Sequence, residues 1–233
     1  MDFVTLVWRA DLIEHFDHLM TKDPALKRAI DAIAVPGILV EHRLIASGDE
    51  FALLAEESGA FVDSVTKVRR ASGAARIVAR ELLDRLGAPP CAIPRSASGA
   101  PVWPNAVTGS LAHDAEVAIA AVALQREVLS VGVDVEPAAA LEPELLPLVA
   151  TANERRFLLQ DAPRQGRLLF AVKEAVYKAV YPLDGIFLDH HDVEVNFASC
   201  TARVRNDRIV PFRTCTASHI VALAYISARS DPN

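Results

Sequence analysis

Two short stretches carry the residues whose types and spacing could do chemistry. Asp134 and Glu136 stand two apart in Gly132-Val133-Asp134-Val135-Glu136-Pro137, and Glu174 stands four before Lys178 in Phe170-Ala171-Val172-Lys173-Glu174-Ala175-Val176-Tyr177-Lys178. Three carboxylates beside lysines suit a hard divalent cation, because Mg²⁺ takes oxygen ligands and binds through a few carboxylates plus a substrate phosphate. If the strand carrying the pair and the helix carrying the third acid meet, they would form a phosphoryl-type transfer site. Lys173 and Lys178 would neutralise phosphate oxygens as point charges. Taken singly the motifs say less. An isolated D-x-E is usually a solvated strand face, and a lone Glu–Lys pair at i,i+4 is worth only about 0.2–0.5 kcal/mol.

Arg69, Arg76 and Arg80 form a third set, spaced seven and four apart on one helical stripe with Gly73 between them. Such a stripe offers a cationic groove with a gap at its centre, suited to a phosphate monoester, or else a solvated basic face. His113 follows the small-residue segment Thr108-Gly109-Ser110-Leu111-Ala112. On position alone it reads as a structural residue at a strand start.

The elements that must position these groups follow from periodicity. Val131, Val133 and Val135 point to one side of a strand over 128–136, leaving Gly132, Asp134 and Glu136 on the other. Gly132 would leave room beside the carboxylates. A helix over about 67–86 buries Ala75, Val78, Ala79, Leu82, Leu83 and Leu86, and Gly87 with Pro89-Pro90 stops it. A second helix over about 167–181 buries Leu168, Val172, Ala175, Val176 and Ala179 and is expected to end at Pro182. Residues 117–124 predict a buried strand, and further strands are expected at 193–197 and 220–226. Thr151-Ala152-Asn153-Glu154 has capping-box spacing. Residues 87–105, with five prolines, form an irregular connection. Asp189-His190-His191-Asp192 has the composition of a metal cluster, but adjacent histidines on a strand face opposite ways, so a loop is expected there. Ser110-Leu-Ala-His113 and Thr216-Ala-Ser-His219 each precede an apolar strand and hint at duplication, with a boundary near Gln125-Arg126.

The bulk numbers set limits. The chain has 233 residues, 52% hydrophobic and 23% charged, as a soluble globular protein does. A formal net charge of −6 argues against nonspecific binding to nucleic acid or an anionic membrane. Cys91, Cys200 and Cys215 are scattered and odd in number, which points away from a disulfide framework or zinc knuckle and toward a reducing cytoplasm. No export leader is visible at the start of the sequence, and the longest uncharged apolar run, 117–124, is too short to span a bilayer.

In order and spacing these segments resemble the 4′-phosphopantetheinyl transferases of the larger, single-chain type, within the enterobactin-synthetase group. The resemblance covers about 64–197. It rests on the arginine helix ending in Leu86-Gly87, on Pro101-Val102-Trp103-Pro104 leading to Gly109-Ser110-x-x-His113, and on the two acidic blocks. It implies an α+β fold of two pseudo-symmetric halves, 1–126 and 127–233, each a small sheet packed with a long helix, with the active site in the cleft between them. It implies Mg²⁺ on Asp134, Glu136 and Glu174, with Glu174 also a possible base and Lys178 beside it. It further implies coenzyme A phosphate contacts at Lys173, Lys178 and His113, and 3′-phosphate contacts at Arg69 and Arg76. Glu154 matches an acidic position of unassigned role. The implied reaction moves 4′-phosphopantetheine from coenzyme A to a serine of an apo acyl or peptidyl carrier protein and releases 3′,5′-ADP. The expected setting is a cytoplasmic monomer serving siderophore or secondary-metabolite synthesis.

The chain also departs from the group. Ala71-Ser72 replaces the usual Glu-Phe, Ala112 the usual serine or threonine, and Asp114 the usual cysteine. Two rivals stand beside this reading: a Mg²⁺-dependent phosphohydrolase acting on a nucleotide, which uses the same carboxylates without a protein acceptor, and, motivated by the Ala71-Ser72 and Asp114 departures, a non-catalytic coenzyme-A-binding protein of the same fold. Arg155, Arg156 and Phe157 are candidates for a carrier-docking surface, since two acidic proteins must meet through local basic and apolar patches.

Overall fold

The computed structural model describes residues 21–158 and 162–228. Helix α1 (Pro24–Ala32) precedes strand β1 (Ile38–Leu44), the short helix α2 (Ala55–Ser58) and the long helix α3 (Thr66–Arg85). Strands β2 (Val107–His113), β3 (Val117–Leu124) and β4 (Val128–Pro137) follow. Next come helices α4 (Leu146–Val149), α5 (Ala152–Phe157) and α6 (Ala162–Asp184). Strands β5 (Val193–Asn196), β6 (Thr201–Val204), β7 (Ile209–Thr216) and β8 (His219–Ser227) complete the described chain. The strands form two antiparallel sheets, ordered β1-β3-β2 and β4-β8-β7-β6-β5.

The layers follow from alternation along the strands. In β3, Ala118, Ala120 and Val122 pack toward α3 with Ala75, Val78, Ala79, Leu82 and Leu83. Its other face, Val117, Ile119, Ala121 and Ala123, shares a core with Val131, Val133 and Val135 of β4 and Val221 and Leu223 of β8. The reverse face of β8, Ile220, Ala222 and Ala224, packs with Val172, Ala175, Val176 and Ala179 of α6. Each sheet therefore carries one long helix on its outer face and meets the other sheet through a common apolar layer. At their adjoining edges β4 touches β2, where the Val133 N–H donates to Ser110 Oγ at 3.1 Å.

Gly132 sets the distance between β4 and α6. A Cβ there would come within 1.9 Å of the Ala175 carbonyl oxygen and 2.6 Å of the Ala179 nitrogen. The space expected beside the carboxylates is thus taken by helix backbone. Gly73 behaves alike: a Cβ would fall 1.9 Å from the Asp49 carbonyl oxygen, so no gap opens in the arginine helix. Pro182 does not end α6, which continues to Asp184 and closes where the Gly185 N–H donates to the Tyr181 carbonyl at 2.8 Å. A proline near a helix C-terminus removes one N–H and leaves the last turn possible, and Gly185 at φ 63° then turns the chain away.

Candidate active site

The strand–helix contact brings two of the motifs together. Asp134 faces α6 and is 6% exposed. Its Oδ1 lies 2.6 Å from Lys178 Nζ, while its Oδ2 is buried with no hydrogen-bond partner. Burial pushes the Asp134 carboxyl up to about 6, against the pull of Lys178 and with the push of the Glu174 and Glu136 charges. The Glu136 carboxyl is also raised by burial, and Arg167 opposes that rise with a guanidinium nitrogen 3.0 Å away. Glu174 Oε1 lies 3.0 Å from His190 Nε2, and that bond lowers its carboxyl.

The three carboxylates expected to hold a cation are electrostatically coupled, yet each leans on its own basic neighbour, Lys178, Arg167 or His190. Among the described residues no group of three or more His, Cys, Asp or Glu is arranged as a ready metal cage. The donor set is nevertheless all oxygen, as Mg²⁺ demands. The orphaned Asp134 oxygen is a buried acceptor that a cation would satisfy. On these two grounds the residues fit a hard divalent ion.

Across the cleft, a cavity of about 220 Å³ gathers Arg76, Arg95, His113 and Lys178 with Ser72 and Pro101. It adjoins a second cavity of about 570 Å³ lined by Trp103, Gly109, Ser110, Tyr177 and Tyr181, and Lys178 and Arg95 line both. Partial desolvation lowers the His113 imidazole, and the Lys178 and Arg95 charges add to that effect. Arg76 is buried, donating to the Ile93 and Ser72 carbonyls at 3.0 and 3.2 Å. Burial brings its guanidinium down to about 10, so it remains a cation at neutral pH. It is anchored by the fully buried Glu57 at 3.6 Å and stacks over Phe61 at 5.2 Å. Arg95 covers the same ring at 4.7 Å.

The remaining candidates divide. Arg69 is exposed on the first turns of α3. Arg80 turns instead to Glu57 and the Ala52 carbonyl at 2.9 and 2.7 Å, so the supposed stripe splits. Lys173 is placed differently from the phosphate contact expected of it. It is 1% exposed, and its ammonium donates to Glu154 Oε2, the His190 carbonyl and the Val149 carbonyl at 2.7, 2.8 and 2.9 Å. Glu154 closes its capping box with Thr151 and also accepts from the Val195 N–H at 2.8 Å. A lysine next to a site glutamate on a helix points about 100° away from it, here into the core. Of the docking candidates, Arg155 and Arg156 are exposed, and the Phe157 side chain lies outside the described residues.

Arg95 carries no signal in the sequence, and the sequence marks His190 only as part of a loop. Arg95 sits in the proline-rich connection with no periodicity to mark it. His190 belongs to the Asp189–Asp192 segment, a short 3₁₀ turn capped by Asp189, which turns one imidazole back onto Glu174. Its loop placement was foreseen, but its contact was not.

A family model described as the 4′-phosphopantetheinyl transferase N-terminal domain matches residues 56–123, and one for the 4′-phosphopantetheinyl transferase superfamily matches 130–224. The chain is 37% identical over 173 residues to the 4′-phosphopantetheinyl transferase Svp of Streptomyces mobaraensis, covering 71% of this chain and 70% of that protein. The chain belongs to the 4′-phosphopantetheinyl transferases. Other relatives of this transferase are Npt of Nocardia iowensis, 42% identical over 58% of this chain and 61% of that protein, and PptT of Mycobacterium tuberculosis, 37% over 62% and 65%. Enterobactin synthase component D of Salmonella typhi is 37% identical over 34% of both chains. The crystal structure of Thermotoga maritima holo-[acyl-carrier-protein] synthase overlaps 44% of this chain and 65% of that one at 22% identity, with a TM-score of 0.35, too slight a likeness to argue from. The matched stretches contain Arg69, Arg76 and His113 in the first region and Asp134, Glu136, Glu174 and Lys178 in the second. Among the described residues no helix is long and apolar enough to cross a membrane.

Proposed function

We propose that this transferase binds coenzyme A across the cleft between its two sheets and passes 4′-phosphopantetheine to the serine of an apo acyl or peptidyl carrier protein. The observation that carries the reading is the position of Lys178. It pairs with Asp134 on β4 and lines the cavities that hold Arg76, Arg95 and His113, so one ammonium joins the acidic and basic halves of the site. The 3′-phosphate belongs with Arg69 and Arg76, and the pyrophosphate with His113, Arg95 and Lys178.

Mg²⁺ would be held by Asp134, Glu136 and Glu174, and when bound it supplies charge neutralisation at the pyrophosphate. The rest is positioning by the chain's own residues. Lys178 and His113 orient the β-phosphorus toward the incoming hydroxyl. The serine oxygen forms the new P–O bond as the bond to the leaving 3′,5′-ADP breaks. Glu174 is either a ligand or the acceptor of the serine proton. Glu174→Gln separates these roles: unchanged Mn²⁺ affinity with lost turnover assigns the proton.

Incubation with coenzyme A, Mg²⁺ and an apo carrier protein tests the whole reading. A gain of phosphopantetheine mass on the carrier supports it. Hydrolysis of coenzyme A without transfer, or binding without turnover, would overturn it in favour of a phosphohydrolase or a non-catalytic binder.

A further inference from the structure

Asp114 is the residue that puts a negative charge next to His113, where a phosphate is to bind. The structure gives that charge a partner from the far end of the chain. His219 Nε2 lies 3.0 Å from Asp114 Oδ2, joining the β2–β3 turn of the first sheet to the start of β8 in the second. The other oxygen, Oδ1, accepts from the Glu116 and Val117 N–H groups at 2.7 and 2.8 Å and shapes the turn that follows His113.

The surroundings of His219 favour its cationic form. Ser218 Oγ donates its proton to Asp23 Oδ2, so it can only accept from His219 Nδ1, 3.1 Å away. The Asp114 carboxylate lies at ion-pair distance from Nε2, without an aligned hydrogen bond to Oδ2, and the raised His219 pKa, with the Asp114 interaction as its main cause, favours the protonated ring. The groups around the imidazolium are carboxylates on every side that contributes one. Asp114 and Glu116 lie on the β2–β3 turn and Asp23 caps α1. On β4, Pro137 is the register partner of His219, and the neighbouring Glu136 is held by Arg167. Asp114 also acts at a distance: its charge raises both the His113 imidazole and the Glu136 carboxyl.

We propose that His219 is a positioning and charge-compensating residue of the transfer reaction, holding Asp114 in place and cancelling its charge so that His113 can receive a phosphate of coenzyme A. The inference rests on the reading of His113 given above.

The test is a double-variant cycle on the full chain, with folding followed by circular dichroism and with KM for coenzyme A and kcat measured separately. His219→Gln is expected to raise KM at pH 7 by about tenfold, the order of effect for exposing one partner of a close charge pair. Asp114→Asn keeps the turn-forming oxygen and removes the charge. Added to His219→Gln, it is expected to return KM to within about twofold of wild type, since no uncompensated charge is left. In wild type KM should rise with pH as the imidazolium loses its proton, and Asp114→Asn should flatten that rise. A double variant as poor as, or poorer than, His219→Gln would overturn the inference, because the defect would then not come from an uncompensated Asp114 charge. Failure of the wild type itself to modify a carrier would instead overturn the transferase reading.

Discussion

Lys178 Nζ and Asp134 Oδ1 stand 2.6 Å apart, on a helix and a strand that only the absence of a side chain at Gly132 allows to touch. This pair joins two motifs separated by more than forty positions and sets the orientation of both.

Gly132→Ala should break the site through the fold. An added methyl would meet backbone on α6, which cannot move aside as a flexible side chain could. The expected result is a stability loss on the order of 3 kcal/mol, as for overpacking a core at its tight limit, with transfer lost at temperatures where the protein remains folded. Thermal denaturation and the carrier mass shift check both parts. A variant that melts and turns over like wild type would contradict the close approach.

Asp134→Asn should uncouple activity from stability. The buried carboxylate is raised to about 6, so in the folded protein its charged form is disfavoured, and the resulting cost is present above that pH and relaxes below it. Removing the charge should abolish transfer. It should also leave the apo protein at least as stable at pH 7, with a gain of up to about 1 kcal/mol once the lost Lys178 partner is counted. Mg²⁺ should raise the melting temperature of wild type and not of Asp134→Asn. A marked destabilisation of the variant would contradict this account.

Arg69 and Arg76 should separate by substrate and by stability. Arg69 is exposed, so Arg69→Ala should raise KM for coenzyme A by roughly tenfold, as loss of a charge-assisted phosphate contact does, without shifting the melting temperature. Arg76→Ala should weaken binding and also destabilise the fold, because Glu57 loses a buried cation. With 3′-dephospho-coenzyme A both variants should approach wild-type KM. Equal penalties on the two substrates would place the 3′-phosphate elsewhere.

Lys173→Met should act on the fold rather than on substrate binding. Its ammonium is committed to Glu154 and two carbonyls, and breaking a buried pair on one side costs about 3–5 kcal/mol. Chemical denaturation should show a loss of that order, while KM for coenzyme A in the folded fraction stays near wild type. A selective rise in KM with unchanged stability would restore Lys173 to the phosphate.

Glu41 offers a test of acid stability away from the site. Burial raises its carboxyl, but the His42 side chain, the Lys22 charge, the His42 amide and the Lys27 charge outweigh it and bring the value to about 2 from 4.5. A depressed acid contributes stability that is full above its unfolded value and lost as pH falls from 4.5 toward 2. Glu41→Gln should therefore cost about 2 kcal/mol at pH 7, below the ceiling the shift allows, and little near pH 2. A deficit independent of pH would point to packing instead.

What could be read from the sequence was what local periodicity encodes. The stripe in α3, the unbroken apolar run of β3, the alternation in β4 and the capping box of Thr151 all fold as their spacing dictates. The acidic pair and Lys178 stood out only because the two acidic blocks occur together, each motif being weak by itself. Long-range partners were not legible. Nothing near Asp114 announces His219, nothing near Glu174 announces His190, and nothing in the proline-rich connection marks Arg95. Lys173 shows the converse: its neighbours in sequence suggested a phosphate, while Glu154 and two distant carbonyls decided its direction. Gly73 and Gly132 were read as openings, but backbone occupies both places.

Trp103 has a practical consequence. Its indole lies against Gly109, where a Cβ would meet the ring at 2.5 Å, and it walls the larger of the two site cavities. The chain has two tryptophans, and the other, Trp8, falls outside the described residues. The molecule therefore carries its own optical reporter: an adenine or a thiol arm settling against that indole would quench or shift its emission, giving a label-free titration of occupancy in which Trp8→Phe isolates the signal.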